Sequence, residues 1–182
     1  GVPWFDNIVD FMPPEAKSAS GGVAFFPQLF AADISWDDVA WLREAWPRKL
    51  LLKGVLSVAD AQRAADSGCD GIILSNHGGR QLDACVAPIE VLPDIARTVG
   101  ERLTVIVDSG FRRGGDVVKA MALGADAVMI GRATLYGLAA GGEAGVDHAL
   151  QILVSEIDRT LGQLGCRTLA DVHSGMLAGN QE

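Results

Sequence analysis

Four short apolar runs recur through the second part of the chain, at residues 50–53, 71–74, 104–107 and 127–130. The last three are rich in large apolar residues without polar alternation, the pattern of parallel strands buried on both faces. Stretches of helical periodicity separate them, at 57–67, 88–99 and 116–123, with Ser57 and Asp60 spaced to cap the first. Gly68, Gly100 and Gly124 follow these helices as residues free to turn left-handed at a helix end. The alternation predicts four βα units on one parallel sheet. A final helix over 145–164 carries Val146, Leu150, Leu153, Ile157 and Leu161 at helical spacing, and is expected to cover the outside of the sheet.

The beginning of the chain reads differently. Pro3, Pro13, Pro14 and Pro27 punctuate a stretch that also holds Gly21-Gly22 and the apolar cluster Phe25, Phe26, Leu29 and Phe30. Residues 1–32 are therefore expected to be an irregular segment or a mobile loop. Residues 33–45 form an amphipathic helix, with Trp36, Val39, Ala40 and Trp46 expected to pack on the sheet and Pro47 to end it. Four parallel units fit either an open sheet or part of a closed (β/α)8 barrel, which needs about 250 residues when complete. No G-x-G-x-x-G turn follows any strand, which counts against a dinucleotide-binding open sheet and favours half of an α/β TIM barrel.

Composition narrows the function. The 182 residues are 49% hydrophobic and 21% charged, as in a soluble globular protein, and the net charge of -8 disfavours phosphate backbones and anionic lipid. No partnership with nucleic acid is expected. Cys69, Cys85 and Cys166 show no C-x-x-C spacing, so a disulfide framework and a structural zinc site are not indicated, and a reducing cytoplasmic setting fits. Neither a long apolar span nor a signal-peptide pattern occurs. Gly1 in place of an initiator Met reads as the start of an internal piece of something longer.

The predicted strand ends are unusually polar: Lys53-Gly54, Ser75-Asn76-His77-Gly78-Gly79-Arg80, Asp108-Ser109-Gly110-Phe111-Arg112-Arg113 and Gly131-Arg132. In a parallel α/β protein these ends meet at one site. Lys53 follows three leucines, and is either an anion-stabilising or nucleophilic amine or a lysine snorkelling from a strand end. His77, before two glycines, suits proton abstraction, although a lone histidine is more often structural. Arg80, three residues on, can grip a carboxylate bidentately and place its α-carbon beside the imidazole. Asp83 is expected to pair with an arginine or cap a turn. Gly110, Gly114 and Gly115, with Arg112 and the Gly131-Arg132 pair, suggest an anion cradle, while Arg113 is either part of it or a solvated charge. Asp108 either accepts from a ligand hydroxyl or orients Arg112.

The strings LLLKGVLS, GIILSNHGGRQLD, VDSGFRRGGDVVKAMALGADAVMIGR and IDRTLGQLGC resemble the C-terminal half of the FMN-dependent 2-hydroxy acid dehydrogenases and oxidases, in order from about Asp33 to Cys166. That family includes glycolate oxidase, flavin L-lactate dehydrogenase and (S)-mandelate dehydrogenase, and VDSGFRRG with GRATLYGLAA is most similar to the mandelate branch. Many relatives have glycine where Ser109 stands.

The resemblance implies a C-terminal half-barrel over 33–182, FMN as cofactor, and oxidation of an (S)-2-hydroxy acid to the 2-keto acid. It implies His77 as base and Arg80 as carboxylate ligand. Lys53 is expected against the flavin's pyrimidine edge, Ser75 on the ring system and Asp108 on the ribityl chain. Gly110, Arg112, Gly131 and Arg132 complete the cofactor contacts, most of them at the phosphate. The implied partners are a lactate- or mandelate-like acid, an acceptor such as oxygen, a quinone or a cytochrome, and further copies of the full-length chain.

A substrate tyrosine, a second carboxylate-binding arginine and an aspartate that orients the histidine have no counterparts here, so the chain is expected to be a fragment, inactive alone. In the mandelate branch residues 1–32 occupy the place of a membrane-docking stretch, which makes peripheral contact at the inner face of the cytoplasmic membrane an expectation beside that of an active-site lid. A Schiff-base aldolase using Lys53 and a non-catalytic half-barrel that binds phosphate or FMN are the rival readings.

Overall fold

The structure, a computed structural model, describes residues 6–18, 24–25, 31 and 33–178. The chain divides into two compact units, 1–39 and 40–182. In the first, 3-10 turns run over Asp6–Phe11 and Pro14–Ala16, the second opened by the fixed φ of Pro14. Met12 is buried and Phe11 exposed. Phe26, Leu29 and Phe30 of the expected apolar cluster lie outside the described residues.

Helix α1 (Trp36–Ala45) leads into the second unit. There β1 (Leu51–Val55), α2 (Val58–Asp66), β2 (Gly71–Leu74), α3 (Pro88–Val99), β3 (Thr104–Val107), α4 (Gly114–Ala122), β4 (Ala127–Val128) and α5 (Arg132–Leu164) follow in turn. The four strands are all parallel and neighbour one another in chain order. Such an arrangement is one continuous arc of a barrel wall.

Register sets the two faces of this arc. Lys53 pairs with Ile73 and Ile73 with Ile106, so these three share a row and a face. Ser75 and Asp108, two residues further along β2 and β3, continue that face. The alternate residues Ile72, Leu74, Val105 and Val107 are fully buried and, with Leu92, Ile95 and Val99 of α3, form the core. Each such side chain stabilises the fold by about 1.5–3 kcal/mol.

Burial is fullest on the central strand β2, whereas β3 is buried on the Val105 and Val107 face and has Thr104 exposed on the other. Ala127 of β4 is exposed and Leu51, Lys53 and Gly54 of β1 are exposed, because each strand has a neighbour on one side only. β4 is also shorter than its apolar run suggests.

The caps follow local chemistry. Ser57 Oγ accepts from the Asp60 amide at 3.0 Å, as its spacing predicts. Gly68 and Gly124 end α2 and α4 with φ of 77° and 99°, whereas Gly100 stays right-handed at φ -60°, its amide donating to Ala96 O. The expectation of a left-handed Gly100 is thereby corrected. In α1 Val39 is buried, but Ala40 is exposed and Trp46 half-exposed, with its indole donating to Lys49 O at 3.0 Å instead of packing on the sheet.

The last helix begins at Arg132, well before residue 145, and breaks at Gly141 (φ -154°) and Gly142 (φ 60°). A Cβ on Gly137 or Gly145 would run into the other's carbonyl, so the two arms meet backbone to backbone. The apolar periodicity reveals only the second arm, whose Leu153 and Leu161 are buried while Leu150 stays 40% exposed. No described helix is long and apolar enough to cross a membrane.

Candidate active site

At the carboxyl ends of β1 to β4 lies a cavity of about 750 Å³ lined by Lys53, His77, Arg80, Asp108, Arg112 and Arg132 together with Gly110 and Gly131. Eight of the nine residues predicted for the site from sequence thus line one cavity. Ser75, the ninth, is buried and does not line it.

Ser75 is a branch point. Its Oγ accepts from Lys53 Nζ at 2.7 Å and from the His77 amide at 3.0 Å. Lys53 Nζ also lies 2.9 Å from Asp108 Oδ2, and Ser109 Oγ donates to Asp108 Oδ1 at 2.7 Å. Burial works to raise the Asp108 carboxyl, but hydrogen bonds from Ser75, Lys53 and Ser109 and the lysine charge outweigh it, holding the group below its ordinary value. Asp108 therefore pairs with Lys53 and not with Arg112.

The histidine turn is a run of left-handed residues: His77 at φ 56°, Gly78 at 67° and Gly79 at 72°. Glycine takes such angles without a Cβ penalty, and histidine is among the few other residues enriched there. Asn76 Oδ1 caps the turn by accepting from the Gly79 amide at 3.2 Å. The Gly78 amide donates to Ser109 Oγ and its carbonyl accepts from Arg132 Nη2, both at 3.0 Å. A Cβ on Gly78 would sit 2.5 Å from that nitrogen. Among the described residues the His77 ring and the Arg80 and Arg112 guanidinium groups make no hydrogen bond or ion pair.

Part of the expected cradle falls elsewhere. Gly114 is buried, its amide donates to Glu156 Oε2 at 2.8 Å, and a Cβ would meet the backbone of Ile157. Its lack of a side chain serves helix packing, not anion binding. Gly115 and Arg113 border a separate shallow hollow with Glu156, and Arg113 pairs with Glu156 at 2.8 Å. Asp116 Oδ2 accepts the Arg112 and Arg113 amides, so carboxylates already satisfy the start of α4. Asp83 makes no ion pair among the described residues, which leaves the turn-capping alternative of the two expected for it.

Some lining residues carried no sequence signal as site residues. Met129 follows β4, and Tyr136 comes one helical turn after Arg132 on the same face of α5, a spacing that could have pointed to it. Ser109 stood out only as a departure from glycine.

The sequence profile of the FMN-dependent dehydrogenases matches residues 4–179. The chain is 52% identical to (S)-mandelate dehydrogenase of Pseudomonas putida over 91% of its length and 41% of that protein's. It is 43% identical to L-lactate oxidase of Nostoc sp., over 90% of this chain and 45% of the other. A crystal structure of monotopic membrane protein (S)-mandelate dehydrogenase superposes with a TM-score of 0.84 at 49% identity, covering 91% of this chain and 44% of that one. The chain spans less than half the length of these relatives, and its four βα units are accordingly part of a TIM barrel. With its profile matched almost end to end, the chain belongs to the FMN-dependent dehydrogenase family.

Proposed function

We propose that the protein carrying this chain oxidises an (S)-2-hydroxy acid, lactate- or mandelate-like, to the 2-keto acid with FMN as cofactor. One observation carries the reading: a base, His77, and a guanidinium without an ion-pair partner among the described residues, Arg80, share a cavity with the Lys53–Asp108 pair and with Arg112 and Arg132.

The donor set fits FMN. Two guanidinium groups beside glycine-lined wall suit a phosphate, and a carboxylate with nearby hydroxyls suits a polyol chain. Arg112, Arg132, Gly110 and Gly131 would hold the phosphate, Asp108 the ribityl hydroxyls, and Lys53 and Ser75 the ring. Bound there, FMN supplies a two-electron acceptor.

Arg80 would take the substrate carboxylate in a two-point grip, which fixes the α-carbon relative to His77. His77 would accept the proton that leaves the substrate, and the left-handed turn holds its backbone in place during that transfer. Lys53 would support negative charge at the cofactor edge. Its Nζ donates to Ser75 and faces Asp108, so it is engaged as a donor and not presented as a Schiff-base nucleophile.

The activity belongs, in this proposal, to a protein longer than these 182 residues. Electron delivery to oxygen, a quinone or a cytochrome and assembly into homo-oligomers are part of the same reading. So is peripheral membrane contact on the cytoplasmic side, supported by the monotopic relative. Co-sedimentation with anionic liposomes that is unchanged by Phe25→Ser with Phe26→Ser would remove that last element.

Anaerobic mixing of the FMN-loaded protein with (S)-mandelate or L-lactate tests the central claim. Loss of the oxidised flavin's visible absorbance is expected, and its abolition in His77→Asn. A protein that binds FMN yet shows no bleaching with any hydroxy acid sinks the reading in favour of a binding half-barrel.

A further inference from the structure

We propose that Ser109 is a positioning residue for His77, fastening the histidine turn to Asp108 through its hydroxyl. The inference rests on the function proposed above, in which His77 is the base.

Two successive amides of the turn end on serine hydroxyls. The His77 amide donates to Ser75 Oγ and the Gly78 amide to Ser109 Oγ, each at 3.0 Å. Both hydroxyls lead to one carboxylate: Ser109 Oγ donates to Asp108 Oδ1 at 2.7 Å, and Ser75 also hydrogen-bonds Asp108. Ser75 is buried on β2's own continuation and reaches the turn over two residues. Ser109 reaches it over thirty-one, from the end of β3. It is the link that ties the base-bearing loop to a different strand.

The backbone of Ser109 argues the same way. Its φ of 75° lies where a Cβ is penalised, and glycine would remove that penalty. A serine held there keeps a hydroxyl that glycine lacks, and both hydrogen-bonding roles of that hydroxyl are used. Arg132 holds the next peptide, donating to Gly78 O. The two peptides that flank the Gly78 Cα, the first of them directly after His77, are consequently clamped from the end of β3 by Ser109 and from the start of α5 by Arg132. Seating the ribityl chain on Asp108 and the phosphate near Arg132 would act on the two clamps, and so on the placement of the base.

Ser109→Gly and Ser109→Ala separate hydroxyl from strain, because both remove the hydroxyl and only glycine relieves the φ. Amide hydrogen exchange at His77 and Gly78 is measured by NMR or mass spectrometry in the protein as its gene encodes it, with and without FMN. Exchange about five- to tenfold faster in both variants is expected, from the loss of one hydrogen bond. In turnover, a comparable fall in kcat with little change in KM is expected in both, since Arg80 and its carboxylate grip are untouched. Exchange equal to wild type in both variants overturns the proposal, as does a change seen in the alanine variant alone, which would trace to strain. A wild-type protein that shows no hydroxy-acid oxidation counts against the proposed function, while the exchange comparison still decides whether Ser109 holds the turn.

Discussion

Lys53 and Asp108 stand on strands that are not neighbours, yet Nζ of one lies 2.9 Å from Oδ2 of the other across the end of β2. The parallel register makes this possible by placing Lys53, Ile73 and Ile106 in one row, with Asp108 two residues beyond Ile106. The long lysine side chain spans the intervening strand, and Ser75 fills the space between. Asp108→Asn leaves the lysine without its counter-charge, with the remaining loss limited by solvent at the 44% exposed Lys53 side chain. Urea unfolding is expected to show a loss of about 1–2 kcal/mol. FMN titration of the same variant should give weaker binding, and an unchanged affinity would remove Asp108 from the cofactor contacts.

Acid should loosen a second carboxylate at a known place. Asp70 accepts from Lys49 Nζ, the Leu50 amide and Arg43, which ties α1 and the start of β1 to the loop before β2. The bond from Lys49, then the Leu50 amide, outweigh burial and bring its pKa down from 3.8 to about 2. A depressed carboxylate stabilises the fold in full above its unfolded value and loses that contribution as pH falls through the folded one. The Tm difference between wild type and Asp70→Asn should therefore be constant at neutral pH and shrink between 3.8 and about 2. A difference that grows on acidification contradicts the assignment.

Gly114 and Gly115 are adjacent, alike in sequence and opposite in surroundings. A Cβ on Gly114 meets the backbone and side chain of Glu156 and Ile157, whereas one on Gly115 meets nothing within 4 Å. Gly114→Ala should cost about 1–3 kcal/mol by pushing α5 off α4. Gly115→Ala, in a helix with open space around it, should be neutral or stabilise by up to about 1 kcal/mol. Equal Tm values for the two variants would contradict the packing role.

Arg112 lines the cavity without a carboxylate partner among the described residues. If it holds the FMN phosphate, Arg112→Met should weaken FMN by about 10- to 100-fold, the worth of a charge-assisted hydrogen bond. Riboflavin, which has no phosphate, should bind wild type and variant alike. Flavin fluorescence titration with both ligands reads this directly, and an equal loss for riboflavin argues against phosphate contact.

Much of the site was legible because it sits at strand ends, where a polar string directly after an apolar run marks a loop facing the cavity. His77-Gly78-Gly79-Arg80 was visible as a turn carrying an imidazole and a guanidinium, and Lys53 as the polar end of a leucine run. Arg113 and Gly114 were not separable from Arg112 and Gly110 on the same grounds. Their direction depends on Glu156, forty-two residues from Gly114, and no local pattern reports that contact.

Taken alone, the sequence determined the order and kind of the elements apart from the first arm of α5, since strand and helix periodicity, the Ser57 cap and the Gly68 and Gly124 stops act over a few residues. It also determined which side chains cluster at the carboxyl edge, because a parallel sheet leaves them nowhere else to gather. Only the tertiary structure decided which of them touch. Register brought Asp108, two residues beyond the Lys53 row, within reach of the lysine, and helix packing turned Gly114 away from the cavity. The left-handed backbone at His77 and Ser109 brought an amide and a hydroxyl together across thirty-one residues. These contacts arise from the packing of elements distant in the chain, and the periodicity of any one element is silent about its neighbours.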